Sequence, residues 1–212
     1  MKKILILLIM TWFILSFLSV ITLGDSKDAD FLTLNLGESK EATTEKLKFL
    51  QDKGDIKLVS QSDNKYQTCF LNEDAVFVTS FYKGQLIMIN FTFPNQFTED
   101  EYSKKLKDFI LNRIQPRLNK LYGTVTKENQ FPDLKYFSSH KSIWLSRWET
   151  SNLIIDSVLS KNENLYFVGV SMCDQRLFRE MGSEMRKEIK ESEEMIEKLK
   201  KKREELNTKS QN

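Results

Sequence analysis

His140 is the only histidine of the chain, and it stands in Ser138-Ser139-His140-Lys141. A neighbouring serine is not thereby its nucleophile. A general base must reach the hydroxyl across space, and no G-x-S-x-G elbow presents one. His140 therefore reads as a surface-loop residue. A Cys–His pair with Cys69 or Cys173 needs the same proximity, and thiols outside the cell are usually oxidised. Carboxylates offer the remaining chemistry: Asp133 and Glu149 could serve as general acid and base if the fold brought them into one pocket. Metal ligation has no footing, since the sequence has one histidine, no C-x-x-C and no H-x-x-x-H. Phosphate loops, dinucleotide fingerprints and calcium loops are absent from the sequence as well, so no cofactor is expected.

The segment that places these groups in a compartment comes first in the chain. Lys2 and Lys3 precede an uncharged, mostly apolar run from Ile4 to Leu23, with Thr22 and Gly24 at −3 and −1 before Asp25. A basic end, an apolar middle and small residues at the boundary make an export signal. Residues 1–24 are read as that signal, and the mature chain as starting at Asp25, periplasmic or secreted. The run is also about the 20 residues that a spanning helix needs, so an uncleaved anchor with its N-terminus inside stays open. Either reading exports residues 25–212. The boundary has no cysteine for a lipid anchor.

Lys+Arg number 32 and Asp+Glu 30, and the signal contains two of the lysines and none of the acids. The exported part is therefore neutral, with no net field to gather nucleic acid or an anionic bilayer. Residues 25–177 suffice for one domain with a sizeable core, and 7 Gly with 3 Pro leave little for long linkers. Cys69 and Cys173 are an even pair in an oxidising compartment, which invites a disulfide closing a loop of about 100 residues and worth ~3–5 kcal/mol. Both also suit simple burial, and the sequence leaves the choice open.

The residues run through one pattern twice. Ser39 is placed to cap a short helix with Leu47, Phe49 and Leu50 on its apolar side and Gly54 at its end. Strand-like runs follow at Ile56–Ser60, Tyr66–Leu71, Ala75–Tyr82 and Gln85–Phe93. In the last, Leu86, Met88, Asn90 and Thr92 alternate with Ile87, Ile89, Phe91 and Phe93, so one face is wholly apolar. Thr98 and Glu101 have capping-box spacing for a longer helix, which Pro116 should kink or break. Strands resume at Ile143–Glu149, Leu153–Ser160 and Leu165–Met172. The expectation is an α+β fold: a helix and an antiparallel meander, repeated, with the helices on one sheet face and a long charged helix after them.

Leu36-Gly37-Glu38-Ser39-Lys40-Glu41-Ala42 followed by Leu47 resembles the helix opening of small exported bacterial modules. Those modules share the fold of β-lactamase-inhibitor protein and of the small outer-membrane-assembly lipoproteins. Leu121-Tyr122-Gly123, Trp148-Glu149-Thr150 and Cys173-Asp174-Gln175-Arg176-Leu177 also look like secreted Bacteroidetes-type proteins. The likeness spans residues 32–177, and its motifs are short. The chain departs from the inhibitor in lacking two intradomain disulfides, and from the lipoproteins in lacking the lipid-attachment cysteine. What the resemblance implies is a protein-binding module without catalysis.

After Leu177 the chain turns to a mixture of Glu and Lys in which Ile189, Ile196 and Leu199 trace a seam, interrupted by Ser192 and Arg203. Residues 178–212 thus read either as a short coiled coil that self-associates or binds a partner helix, or as a solvated helix docked only at its start. Two functions follow. The favoured one is an exported, non-enzymatic module that binds a protein or envelope component through its sheet, with Trp144, Trp148, Tyr136 and Phe137 as aromatic anchors. The other is an extracytoplasmic hydrolase using Asp133 and Glu149. Residues 1–30 fused to a reporter active only outside the cytoplasm should give signal; silence would contradict export.

Overall fold

In the computed structural model the described residues are 34–133, 137 and 141–209. Residues 1–24, read above as an export signal, lie outside them, as do Tyr136 and His140. Ser39 opens helix α1 (Lys40–Lys53) by accepting from the Ala42 N–H at 3.2 Å. Gly54 closes it in the left-handed region, φ 81°, where a side chain would be strained. Four strands follow: β1 (Lys57–Ser60), β2 (Lys65–Phe70), β3 (Glu73–Tyr82) and β4 (Gln85–Phe97). A helical stretch α2 (99–122) leads to β5 (Lys127–Glu128), β6 (Lys141–Glu149), β7 (Leu153–Asn162) and β8 (Leu165–Asp174). The chain then enters α3 (Gln175–Lys209). The strands form one antiparallel sheet in the order β1-β2-β3-β4-β8-β7-β6-β5.

Tight turns set the hairpin registers. Leu71 and Asn72 both take positive φ, 54° and 55°, as do Lys83 and Gly84, 50° and 74°, the conformation that matches strand twist in two-residue hairpins. Leu71 tolerates this, at about 1–2 kcal/mol, because its side chain is buried.

Alternate residues of the longer strands enter the core. Phe77, Ile89, Phe91, Ile155, Leu159, Val168 and Val170 are buried, and Phe70 stacks on Phe91 at 3.9 Å. α2 supplies Leu106, Phe109, Ile110, Ile114 and Leu118. Its Phe109 meets Phe93 edge-on at 5.5 Å and Phe97 at 5.8 Å, which fixes α2 on that apolar face. The start of α2 is tied where the Glu101 carboxylate accepts from the Thr98 N–H at 3.2 Å.

Pro116 does not break α2. The stretch is α-helical at Glu99–Glu101, π-helical at Tyr102–Leu106 and Phe109–Ile114, then α-helical over Gln115–Tyr122. Pro116 falls in the first turn of that last segment. Its missing N–H leaves no gap in a first turn, and the wider π turns before it give the ring room.

α3 docks only briefly. Asp174 accepts from the Leu177 N–H at 2.8 Å, and Leu177 is buried. Lys83 pairs with Glu180 and Glu184, and Tyr82 donates to Glu184. Past Gly182 every described side chain is exposed. The expected boundary between Leu177 and Phe178 thus falls within the docked turn of one continuous helix.

Burial governs the response to alkali. Tyr102 and Tyr122 are pushed up to about 12 by desolvation, against 10.0 ordinarily. Between these values the unfolded chain sheds protons that the folded chain keeps, so stability is intact below pH 10 and falls from there toward pH 12. Urea midpoints measured at pH 9 and 11 should drop, and Tyr122→Phe should shrink the drop; equal midpoints would contradict this.

Candidate binding face

The sheet face away from α2 presents the other alternation. Val78, Asn90, Ser171, Asp156 and Arg147 form one cross-strand row, and Val76, Thr92, Gly169, Val158 and Trp144 form the next. Around Gly169 this face opens into a groove of about 550 Å³, whose polar lining is Asn90, Thr92, Ser142, Ser160, Asn162 and Ser171. Val158 and Phe167 add apolar wall.

Backbone irregularities sit beside it. β4 loses register between Thr92 and Gln96, and β6 between Trp144 and Ser146. Such bulges bend strands and deepen twist. Gly169 lies between them, and a Cβ there would come within 2.6 Å of the Phe91 carbonyl oxygen. Only glycine lets β4 and β8 approach this closely.

Two ion pairs stand on β6 near the groove. Arg147 grips Asp156 bidentately at 2.7 and 2.8 Å, which raises the guanidinium pKa, while its plane lies 4.8 Å from the Trp144 ring. Glu149 pairs with Lys127 at 2.8 Å, and that hydrogen bond holds its carboxyl below the usual range. What is left in the groove is hydroxyl, amide and apolar surface. Such a lining suits neutral hydrogen-bonding groups and side chains, not phosphates or cations.

The expected anchors divide. Trp144 is on this face, half-buried under Arg147. Trp148 is a correction: it is wholly buried on the α2 side, its indole N–H donating to Asn119 Oδ1 at 2.9 Å and to the Gly123 carbonyl at 3.2 Å. Four residues apart, the two would share a face in a regular strand; the bulge between them turns one over. Phe137 is a second correction, buried against Tyr166 with ring centroids 6.1 Å apart. The residues that sequence reasoning missed are Asn90, Ser160, Ser171 and Gly169. Their signal was the polar half of each strand's alternation.

Asp133 and Glu149 do not converge. Asp133 acts on Tyr102, which packs against Tyr166 at the start of β8. Glu149 is opposite Ile154, whose β8 neighbour is Cys173 at the far end, about 23 Å along the strand. The disulfide is likewise corrected. Cys69 is on β2 and Cys173 on β8, with β3 and β4 between. Three inter-strand steps of about 4.8 Å far exceed what a bridge spans. Cys173 is buried, its thiol pushed up to about 11 by desolvation. Among the described residues no group of three His, Cys, Asp or Glu could hold a metal ion, and no helix is long and apolar enough to cross a membrane.

No family model, no curated protein and no solved structure matches the chain.

Gly169→Ala tests the close approach that shapes the groove. Its Cβ must displace backbone, so unfolding free energy should fall by about 1–3 kcal/mol. A variant as stable as the parent would contradict this reading of β4 and β8.

Proposed function

We propose that this chain is an exported, non-enzymatic module that holds a protein or cell-envelope partner in the groove around Gly169. The observation that carries the reading is a hydroxyl-lined groove in the sheet face beside the Arg147–Asp156 and Lys127–Glu149 pairs. A neutral groove with Trp144 at its edge suits recognition of a surface. The partner supplies a segment with apolar side chains and backbone amides for the serines and Asn90. Nucleic acid is a poor fit, since among the described residues the groove's lining carries no cation for phosphates.

The same reading extends to the fold. Each half of the chain gives a helical segment and then four strands, and the last strands of the halves, β4 and β8, are neighbours. We read this as a twofold repeat of helix and meander, with α1 and α2 on the same face. That architecture agrees with the resemblance to the exported inhibitor and assembly modules. It leaves the opposite face for binding.

A photo-crosslinking residue at position 160, compared with one at Glu45 on the exposed side of α1, tests the site. Envelope extract should give an adduct from position 160 alone, and Ser171→Trp, which fills the groove, should abolish it without lowering stability. Equal labelling from both positions, or labelling that survives Ser171→Trp, would contradict the assignment.

A further inference from the structure

Gly182 lies inside α3, where glycine weakens a helix relative to alanine. Neither packing nor backbone conformation requires it. A Cβ there would meet only the Arg186 guanidinium, at an ordinary 3.8 Å, and its φ is not in the left-handed region. It also marks a boundary: Met181 and Gly182 are half-buried, and every described side chain beyond them is exposed.

The β3–β4 turn reaches both sides of this point. Lys83 Nζ donates to Glu180 at 2.8 Å and to Glu184 at 2.5 Å, one carboxylate on each side of the glycine. The Tyr82 hydroxyl donates to Glu184 as well. The turn is itself anchored, since the Gly84 carbonyl accepts from the Lys40 N–H at 2.8 Å and the Leu86 carbonyl from the Gly37 N–H at 2.7 Å.

We propose that Lys83 and Tyr82 clamp α3 across a hinge at Gly182, so that the arm beyond it points one way while the clamp is closed and swings when it opens. The placement of the two carboxylates carries the assignment. A lysine bound only to Glu180 would fix the base of the helix and leave the glycine free to bend. Bound to both, it spans the turn at which the helix is weakest. Exposed ion pairs are individually weak, which suits a contact that has to open. The device belongs to the base of α3 and stands or falls independently of the groove.

Acid is the trigger that this chemistry supplies. Lys83 and Tyr82 act on Glu184 from the turn, and Lys187 acts on it from α3. Glu180 meets Lys83 and, at 3.7 Å, Arg176. The Lys83 hydrogen bond is the largest of the influences on Glu184 and holds its carboxyl below the ordinary 4.5. The clamp is therefore intact at neutral pH and is lost as pH falls through that lowered value.

The test uses the whole chain with Cys69→Ser and spin labels at Glu45→Cys on α1 and Met195→Cys on α3, both exposed, with Cys173 buried. Dipolar spectroscopy at neutral pH should read one narrow distance. Lys83→Asn with Tyr82→Phe removes the clamp and leaves an Asn-Gly turn, which favours this hairpin; the narrow distance should give way to a broad distribution. Adding Gly182→Ala should restore it. Acid should broaden the parent in the same way, and the chain carrying Gly182→Ala alone should resist. A clamp-free chain as narrow as the parent would overturn the clamp, and breadth that persists with Gly182→Ala would overturn the hinge. A parent already broad at neutral pH would overturn both, and one unmoved by acid would overturn the trigger.

Discussion

The pairing of β4 with β8 is the constraint on which the rest depends. These two strands hold the middle of the sheet, with three strands outside each, yet 67 residues separate Phe97 from Leu165 in sequence. Bringing them together costs loop-closure entropy that no local contact offsets. The compensation is apolar burial on one side: Phe91 opposite Val170 and Ile89 opposite Met172, all buried. α2, the longest element in the intervening segment, packs Phe109 against Phe93 and Phe97 of β4. It also takes the Trp148 indole on Asn119. The helix thereby ties β4 to the far side of the sheet.

The same seam creates the groove. At Gly169, opposite Thr92, a Cβ would strike the β4 backbone, and the register slips immediately afterwards. A side chain at 169 would both separate the strands and fill the space between Asn90, Ser160 and Ser171. Stability and groove therefore both require glycine at this one position. Bidentate pairing of Arg147 with Asp156 serves a similar double purpose. It staples β6 to β7 and removes two charges from the border of the groove.

What could be read from the residues was local. Ser39, Gly54, the Thr98–Glu101 pair and the Lys83-Gly84 hairpin act over three or four positions, and the apolar alternation of Gln85–Phe93 needs only the period of a strand. The faces of Trp144 and Trp148 were not legible, because a bulge adds one residue without a composition signal. Strand order was equally hidden, so the distance between Cys69 and Cys173 could not be known. Pro116 carried a sound steric rule, and π turns that sequence does not announce absorbed it. The two-residue β5 is too short to have a period at all.

Amide hydrogen exchange across the sheet tests the central role of the β4–β8 seam most directly. The account predicts that the amides of Phe91 and Val170 exchange slowest and only with global unfolding, together with those of β3 and β7. Exchange of the β4–β8 amides ahead of those between β2 and β3, or β6 and β7, would contradict it. It would mean that the two halves of the sheet hold themselves up and that their junction is incidental.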